Sequence, residues 1–361
     1  MKILYAASTA SHLRNFHEPY LAALRAEGHD VRTLARGEGV DYDIPFEKKF
    51  FSPKNLTALR AIRRLYRTES FDAVICNTTL AAFYLRLAAR GTKRPRMINF
   101  VHGYLWNEGE RGRRAKLLRF CERLLRRRTD AILVMNAEDA RLAAQNHLCR
   151  GKVYETRGCG VPHRETDAGD ITAARRDYAA PGAYVLAFAG ELSGRKNQEF
   201  LIRALPALRE RIPGITLWLI GEGGARADLE ELCRELAVGG HVRFLGQQKN
   251  PARFMAACDL YVSAAKGEGL PFNIVEALDA GADVLASDIK GHTDILRDHA
   301  CGKLYRAGDS CDFANNIIYM HDHPGEIPAA AKRAGYEYFS SEQVFPDTLS
   351  LLKKAVTDDE N

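Results

Sequence analysis

The chain has 361 residues, 46% of them apolar and 27% charged, with a formal net charge of +6 and eight cysteines. That length suits two globular domains, and no apolar run is long enough to cross a bilayer. The mild charge does not argue for nucleic acid, and no CxxC pair or zinc-like spacing occurs, so the cysteines read as reduced, small apolar residues.

The first strand is KILYAAS. Its apolar stretch ends at Ser8, too short for a secretory signal, so the chain is expected to remain in the cytoplasm. Leu13 to Glu27 reads as a helix closed at Gly28. DVRTLA is a second strand, Leu56 to Thr68 a basic amphipathic helix, and DAVICN a third strand. RMINFVHG, DAILVMN and KVYETRG continue the alternation. Strands separated by helices imply parallel βαβ units and a doubly wound sheet. From about Pro162 to Pro181 the sequence turns polar and irregular, as a connection between domains would. A second alternation follows in AYVLAFAG, ITLWLIG, HVRFLG, DLYVSA and DVLASD. The tail reads as two helices, Ile327 to Phe339 and Glu342 to Val356, carrying the exposed-looking aromatics Tyr336, Tyr338, Phe339 and Phe345. The expected division is an N-terminal domain over 1–165, a C-terminal domain over 166–340, and a final helix over 341–361 that either returns to the first domain or packs on the second.

The densest chemical signal lies in residues 263–288, SAAKGEGLPFNIVEALDAGADVLASD. A strand ends, a glycine loop turns, and Pro271 suits the first turn of a helix that runs to about Ala280. A helix N-terminus in that position suits a diphosphate. Glu268 sits in the loop and Glu276 in the helix. A carboxylate can accept from two neighbouring hydroxyls, as on a ribose or sugar diol, and Gly267 and Gly269 permit close backbone approach. In AGELSGRKNQEF, Arg195 and Lys196 follow another strand, where two cations stabilise the charge of a departing nucleoside diphosphate. ITLWLIGEGG and HVRFLG place Gly221, Gly223 and Gly246 after strands, positions equally suited to a tight turn.

The spacing E-x7-E in GEGLPFNIVEAL, followed by DVLASDIKGHTDIL, resembles family 4 of the retaining glycosyltransferases. KILYAASTASHLRNFHEPYLAAL, FVHGYLW and GELSGRKNQEFLIRAL extend the similarity over nearly the whole chain. They are most similar to the subgroup that builds bacterial exopolysaccharide, capsule and O-antigen. The resemblance implies an α/β chain of GT-B architecture, with two facing doubly wound Rossmann-like domains and a helical tail. It implies a nucleotide-sugar donor, a UDP-sugar by default, and a polyprenyl-diphosphate-linked glycan acceptor, with no cofactor and no metal. Glu276 would hold the ribose, Glu268 the hydroxyls of the transferred sugar, and Gly269 and Leu270 would offer backbone N–H groups. Where many members carry an arginine directly after the strand glycine, this chain has Glu191, so that role passes to Arg195 or is absent, and Lys196 remains.

In the first half, His102 ends an apolar strand in FVHGYLW, in the crevice where α/β sheets bind ligands. The resemblance puts it at the donor sugar or reaction centre. The loop STASHLRNFH offers Ser8, Thr9, Ser11 and His12 to the acceptor, or else Ser11 is a helix cap beside a packed His12. Arg111–Arg128 interleaves Leu117, Leu118, Phe120, Leu124 and Leu125 with arginines. This is either an amphipathic surface for anionic membrane or a core-facing helix with a solvated basic face. No glycine follows the first strand as a dehydrogenase requires, and no GKS/T phosphate loop suggests an NTPase. DYD at Asp41–Asp43 reads as a surface turn rather than a metal motif. A UDP-sugar epimerase of the same architecture and a non-catalytic partner subunit are the alternatives.

Overall fold

The computed structural model describes residues 1–89 and 95–357. The expected final helix therefore extends, at residues 358–361, beyond the described part. By internal contacts the chain divides into one unit of Met1–Gly160 with Val344–Asn361 and another of Val161–Gln343.

The first unit carries seven strands: β1 (Lys2–Thr9), β2 (Asp30–Arg36), β3 (Tyr42–Asp43), β4 (Ala73–Asn77), β5 (Arg96–Val101), β6 (Ala131–Val134) and β7 (Val153–Glu155). Their order is β3-β2-β1-β4-β5-β6-β7, and every pairing is parallel. Ile3 to Ala7 and all of β4 and β6 are buried. These runs are apolar without alternation because helices cover both faces of a parallel sheet. One core gathers Leu4, Ile62, Val74 and Leu85, and a second gathers Trp106, Leu118, Ile132 and Leu142.

The second unit carries β8 (Val185–Ala189), β9 (Thr216–Ile220), β10 (Val242–Gly246), β11 (Leu260–Ser263), β12 (Val284–Ser287) and β13 (Lys303–Tyr305). Their order is β10-β9-β8-β11-β12-β13, again all parallel. Its core includes Phe188, Leu205, Leu219, Val262 and Phe313. Both sheets reverse direction of winding beside their first strand, between β1 and β4 and between β8 and β11. Ligands of open α/β sheets bind outside the strand carboxyl ends at such a switch point.

Several expectations need correction. The helix expected over Leu13 to Glu27 is two helices, Ala10–Phe16 and Glu18–Ala26, broken at His17. Pro19 has no N–H and its ring would press on the carbonyl one turn back, which disfavours one continuous helix, and it sits instead in the first turn of the second one. The segment expected to be irregular between Pro162 and Pro181 contains the helix Ala168–Tyr178, capped by the Asp167 carboxylate on the Gly169 N–H. Asp41–Asp43 is not a plain turn, because Tyr42–Asp43 is an edge strand beside β2. The Asp41 carboxylate accepts from the backbone and hydroxyl of Thr33. β3 and β13 were too short to show a period. In the tail, Ala329–Phe339 and Ser341–Thr357 are helical. Tyr336 and Phe339 are buried, and of the four aromatics only Tyr338 stands well out.

Candidate active site

In the second unit, the loops after β8 and β11 are tied together at the switch point. Asn197 adopts a left-handed conformation (φ 60°) and its amide donates to the Ala264 carbonyl at 3.1 Å. The Lys266 N–H donates to the Arg195 carbonyl at 2.9 Å. This stitching brings Arg195 and Lys196 onto Glu268. Lys196 Nζ lies 2.7 Å from Glu268 Oε1, and Arg195 donates to Oε2 at 2.7 Å and to the Gly267 carbonyl at 3.2 Å. The Glu268 and Lys196 side chains are only 8% and 11% exposed, whereas Arg195 is 48% exposed. Burial alone would raise the Glu268 carboxyl, but the two cations outweigh it and hold it below its ordinary range. Gly267 faces open space, and Leu270 is buried.

The helix after this loop spans Phe272–Asp279, and Pro271 is its cap rather than its first residue. Asn273, which carried no motif signal, anchors the helix by donating to the Ala189 carbonyl at 3.0 Å and to the Tyr261 hydroxyl at 2.9 Å. Glu276 projects from the next turn. Burial raises its carboxyl, with Arg164 opposing, and the Arg164 Nε stands 3.5 Å away. Arg164 is itself positioned through its N–H, which donates to Asp279 at 2.9 Å, while Asp279 also meets His163 Nδ1 at 2.7 Å. Sequence reading missed Arg164, because nothing local says that residues 112 positions earlier reach this helix.

Glu268 and Glu276 are thus held by different cations, not by each other. Below them His292 is fully buried. Its Nδ1–H donates to the Ser287 carbonyl at 2.8 Å, and burial lowers its pKa to about 4. It is a neutral prop for the loop.

Gly221 and Gly223 have a packing reason. A Cβ on Gly221 (φ 135°) would lie 2.1 Å from the Gly190 carbonyl oxygen, and one on Gly223 would lie 2.2 Å from that of Leu192. Only glycine lets the β9 loop press against the β8 loop. Glu191, in the place of the family's arginine, uses its carbonyl to accept from Gln198. Gly246 ends β10, and its carbonyl accepts from the Gly221 N–H.

In the first unit, the loop after β1 is capped by Thr9, not by Ser11. The Thr9 hydroxyl accepts from the His12 N–H, and the exposed Ser11 donates to it at 3.2 Å. The Ser8 N–H donates to the Thr78 hydroxyl at 3.0 Å, stitching the ends of β1 and β4. His102, just past β5, meets His17 with Nε2 atoms 3.0 Å apart, and its ring lies edge-on to His12. Burial keeps all three imidazoles neutral, His12 down to about 4. The sequence singled out His12 and His102 but not His17.

The basic segment is helical over Arg113–Leu125, followed by a tight turn through Arg126–Arg128. Its apolar residues do not form one stripe. Ala115, Leu118, Cys121 and Leu125 face the core, and Glu122 makes a buried two-pronged pair with Arg86. Leu117, Phe120 and Leu124 point outward, with Phe120 61% exposed. The core-facing reading holds for one face, while the opposite face exposes Leu117, Phe120 and Leu124 among arginines.

The profile for "Glycosyl transferases group 1" matches residues 170–338, and that for "Glycosyl transferase 4-like domain" matches residues 17–154. The chain is 30% identical over 335 residues to the putative glycosyltransferase EpsD of Bacillus subtilis, covering 90% of this chain and 88% of that one. It is 21% identical to the UDP-Gal:alpha-D-GlcNAc-diphosphoundecaprenol alpha-1,3-galactosyltransferase of Escherichia coli, covering 82% and 81%. Among solved structures, Anabaena Alr3699/HepE in complex with UDP and glucose superposes with a TM-score of 0.79 at 20% identity, covering 98% and 100%. WaaG, a glycosyltransferase involved in lipopolysaccharide biosynthesis, superposes with 0.73 at 17% identity, covering 99% and 100%. Two parallel Rossmann-like sheets, both family profiles and a relative matched over 90% of the chain agree: the chain belongs to family 4 of the glycosyltransferases and has the GT-B fold.

Proposed function

We propose that this enzyme transfers a sugar from a UDP-sugar to a lipid-linked glycan in the biosynthesis of a bacterial surface polysaccharide, with retention at the anomeric carbon and no metal at the diphosphate. The observation that carries the reading is the cation pair Arg195–Lys196 gathered by Glu268 at the switch point, with Glu276 one turn into the helix that follows. The Glu276 carboxylate accepts from the two ribose hydroxyls, which displaces Arg164 from its 3.5 Å contact. Lys196 and Arg195 neutralise the diphosphate as it departs. Glu268 keeps both cations in place and accepts from hydroxyls of the transferred sugar. The acceptor oxygen bonds to the anomeric carbon as the bond to phosphate breaks, and its proton passes to the leaving phosphate oxygen. Neither glutamate is an unpaired base, which favours the phosphate as proton acceptor. The names of the relatives support the donor and acceptor classes, since one acts on a diphosphoundecaprenol-linked sugar and another is described with UDP and glucose.

The test is calorimetric titration with UDP, followed by incubation with a panel of UDP-, GDP- and TDP-sugars with and without membrane extract. Glu276→Ala should weaken UDP about tenfold or more, since hydrogen bonds to a charged group contribute about 1.5–3 kcal/mol each. Unchanged affinity refutes the ribose role. Failure with every donor refutes the transferase assignment of substrates, and interconversion of a free UDP-sugar to its epimer points to the epimerase instead.

We further propose that the outer face of Arg113–Leu125 rests on anionic membrane. Leu117, Phe120 and Leu124 share one face and are exposed, and Arg113, Arg114, Lys116, Arg123, Arg126 and Arg127 surround them. Each cation near an anionic surface contributes about 1 kcal/mol. No described helix is long and apolar enough to cross a membrane. Flotation with phosphatidylglycerol-containing vesicles should be lost in Phe120→Ser/Leu124→Ser and in Arg126→Ser/Arg127→Ser/Arg128→Ser. Binding indifferent to both removes the proposal.

A further inference from the structure

Among the described residues, one group of histidines has its ligating atoms all within 4.8 Å of one another: His12, His17 and His102. The three come from separate pieces of the first unit. His12 lies in the helix Ala10–Phe16, His17 in the break that follows it, and His102 just after β5. His17 lies five positions after His12, so a continuous helix would splay them. The break leaves His17 buried against Tyr5 of β1.

The orientation of the rings is specific. His17 is fully buried, with its Nδ1 2.9 Å from the Tyr5 hydroxyl and its Nε2 3.0 Å from His102 Nε2. When the Nδ1–H donates to Tyr5, the Nε2 lone pair points at His102. Metal-binding histidines are held in this way, with the second ring nitrogen donating to a fixed oxygen. His12 Nε2 is shielded from solvent and has no hydrogen-bond partner. A buried polar atom without a partner costs about 1–3 kcal/mol, which calls for an explanation. The rings meet at 74° between His12 and His102 and at 79° between His17 and His102, edge toward face rather than stacked.

We propose that His12, His17 and His102 form a binding site for a borderline divalent metal ion, Zn²⁺ in particular. Three neutral imidazoles and no carboxylate are a donor set for Zn²⁺, Co²⁺, Ni²⁺ or Cu²⁺, not for the hard Mg²⁺ that bridges phosphates. Such an ion differs in kind from a diphosphate-bound Mg²⁺, and the metal-free chemistry proposed above does not use it. Tetrahedral bonds of about 2.0–2.1 Å set the nitrogens about 3.4 Å apart. The His17–His102 pair is already near that spacing, and the His12 ring, with no hydrogen bond restraining its Nε2, closes the remainder. With the His17 Nδ1–H on Tyr5, the pair without an ion is joined by the His102 Nε2–H donating to His17. On binding, that proton shifts to His102 Nδ1, so both rings stay neutral and no net proton is released. The ion would pin the broken helix to the end of β5, leaving its fourth position for water or another ligand.

The test uses the full chain, tag-free and stripped with chelator, titrated with CoCl₂ while the visible spectrum is followed, then with ZnCl₂ in competition. One equivalent of Co²⁺ should produce the intense bands of a tetrahedral ion, and Zn²⁺ should bleach them. Tyr5→Phe should weaken binding about 10- to 100-fold, the usual effect of losing the oxygen that orients a ligand. His12→Gln should abolish the bands, whereas His299→Gln, remote from the cluster in sequence and in the other unit, should leave them intact. His102→Gln repeats the experiment should His12→Gln not fold, as judged by circular dichroism. Absence of tetrahedral bands in the wild type, or equal Co²⁺ affinity in the wild type and the folded His-to-Gln variant, overturns the proposal.

Discussion

Glu268 and Lys196 are buried together, and the consequence can be put in numbers. At 2.7 Å and an effective dielectric of about 20, their attraction is about 6 kcal/mol. Removing both charges from water offsets most of it, so the intact pair adds little over a well-packed apolar pair. Removing one partner is different, because about 3–5 kcal/mol is lost when the other charge stays buried alone. Arg195 shares the same carboxylate but is half exposed, so its contribution is about 0–1 kcal/mol. Glu268→Gln should therefore lower the stability of the second unit by about 3 kcal/mol, and Arg195→Ala by less than about 1. Glu268→Gln/Lys196→Met should recover much of the loss. In a unit of this size about 3 kcal/mol corresponds to about 6–12 °C in melting temperature. The chain has two tryptophans, both buried, with Trp106 in the first unit and Trp218 in the second. In a Trp106→Phe background, Trp218 fluorescence reports the second unit alone. Additive losses in the double variant, or a loss from Arg195→Ala equal to that from Glu268→Gln, would refute the reasoning. The lowered Glu268 carboxyl fixes the sign with pH: its stabilisation is present above the unfolded value of about 4.5 and disappears as pH falls through the folded one.

Glu276 behaves in the opposite sense. Its carboxyl is raised in the folded state, so the fold binds the extra proton and loses stability as pH rises from about 4.5 through the folded value. Glu276→Gln should melt higher than the wild type at pH 8, with a smaller difference at pH 4.5. An equal or lower midpoint at pH 8 contradicts this account. At Gly223, alanine would drive a Cβ onto the Leu192 carbonyl, whereas at Gly224 it meets nothing within 4 Å. Gly223→Ala should destabilise by about 1–3 kcal/mol and weaken UDP, and Gly224→Ala should do neither. Indistinguishable melting curves for the two would show that the β8 and β9 loops are not pressed together.

Much of this molecule is legible along the chain. Runs such as KILYAAS and AYVLAFAG are apolar on both faces, which only a strand inside a covered parallel sheet tolerates, so the two alternations reveal two sheets. The turn GEGLP before an amphipathic helix places Glu268 and Glu276 correctly on loop and helix, because that signal is local. Pro19 was local too, and it fits the first turn of the second helix, just after the break at His17. Tertiary structure alone decided the partners. Arg164 reaches Glu276 and Lys196 reaches Glu268 across long sequence separations, and side-chain type does not encode which cation a carboxylate will meet. The outward Leu117, Phe120 and Leu124 look the same in sequence as the inward Leu118 and Leu125 until Arg86, by pairing with Glu122, fixes the rotation of the helix. The three histidines converge only because a helix break and a strand end occupy neighbouring places in the sheet. Periodicity sets which residues can be buried, but long-range packing sets which of them meet.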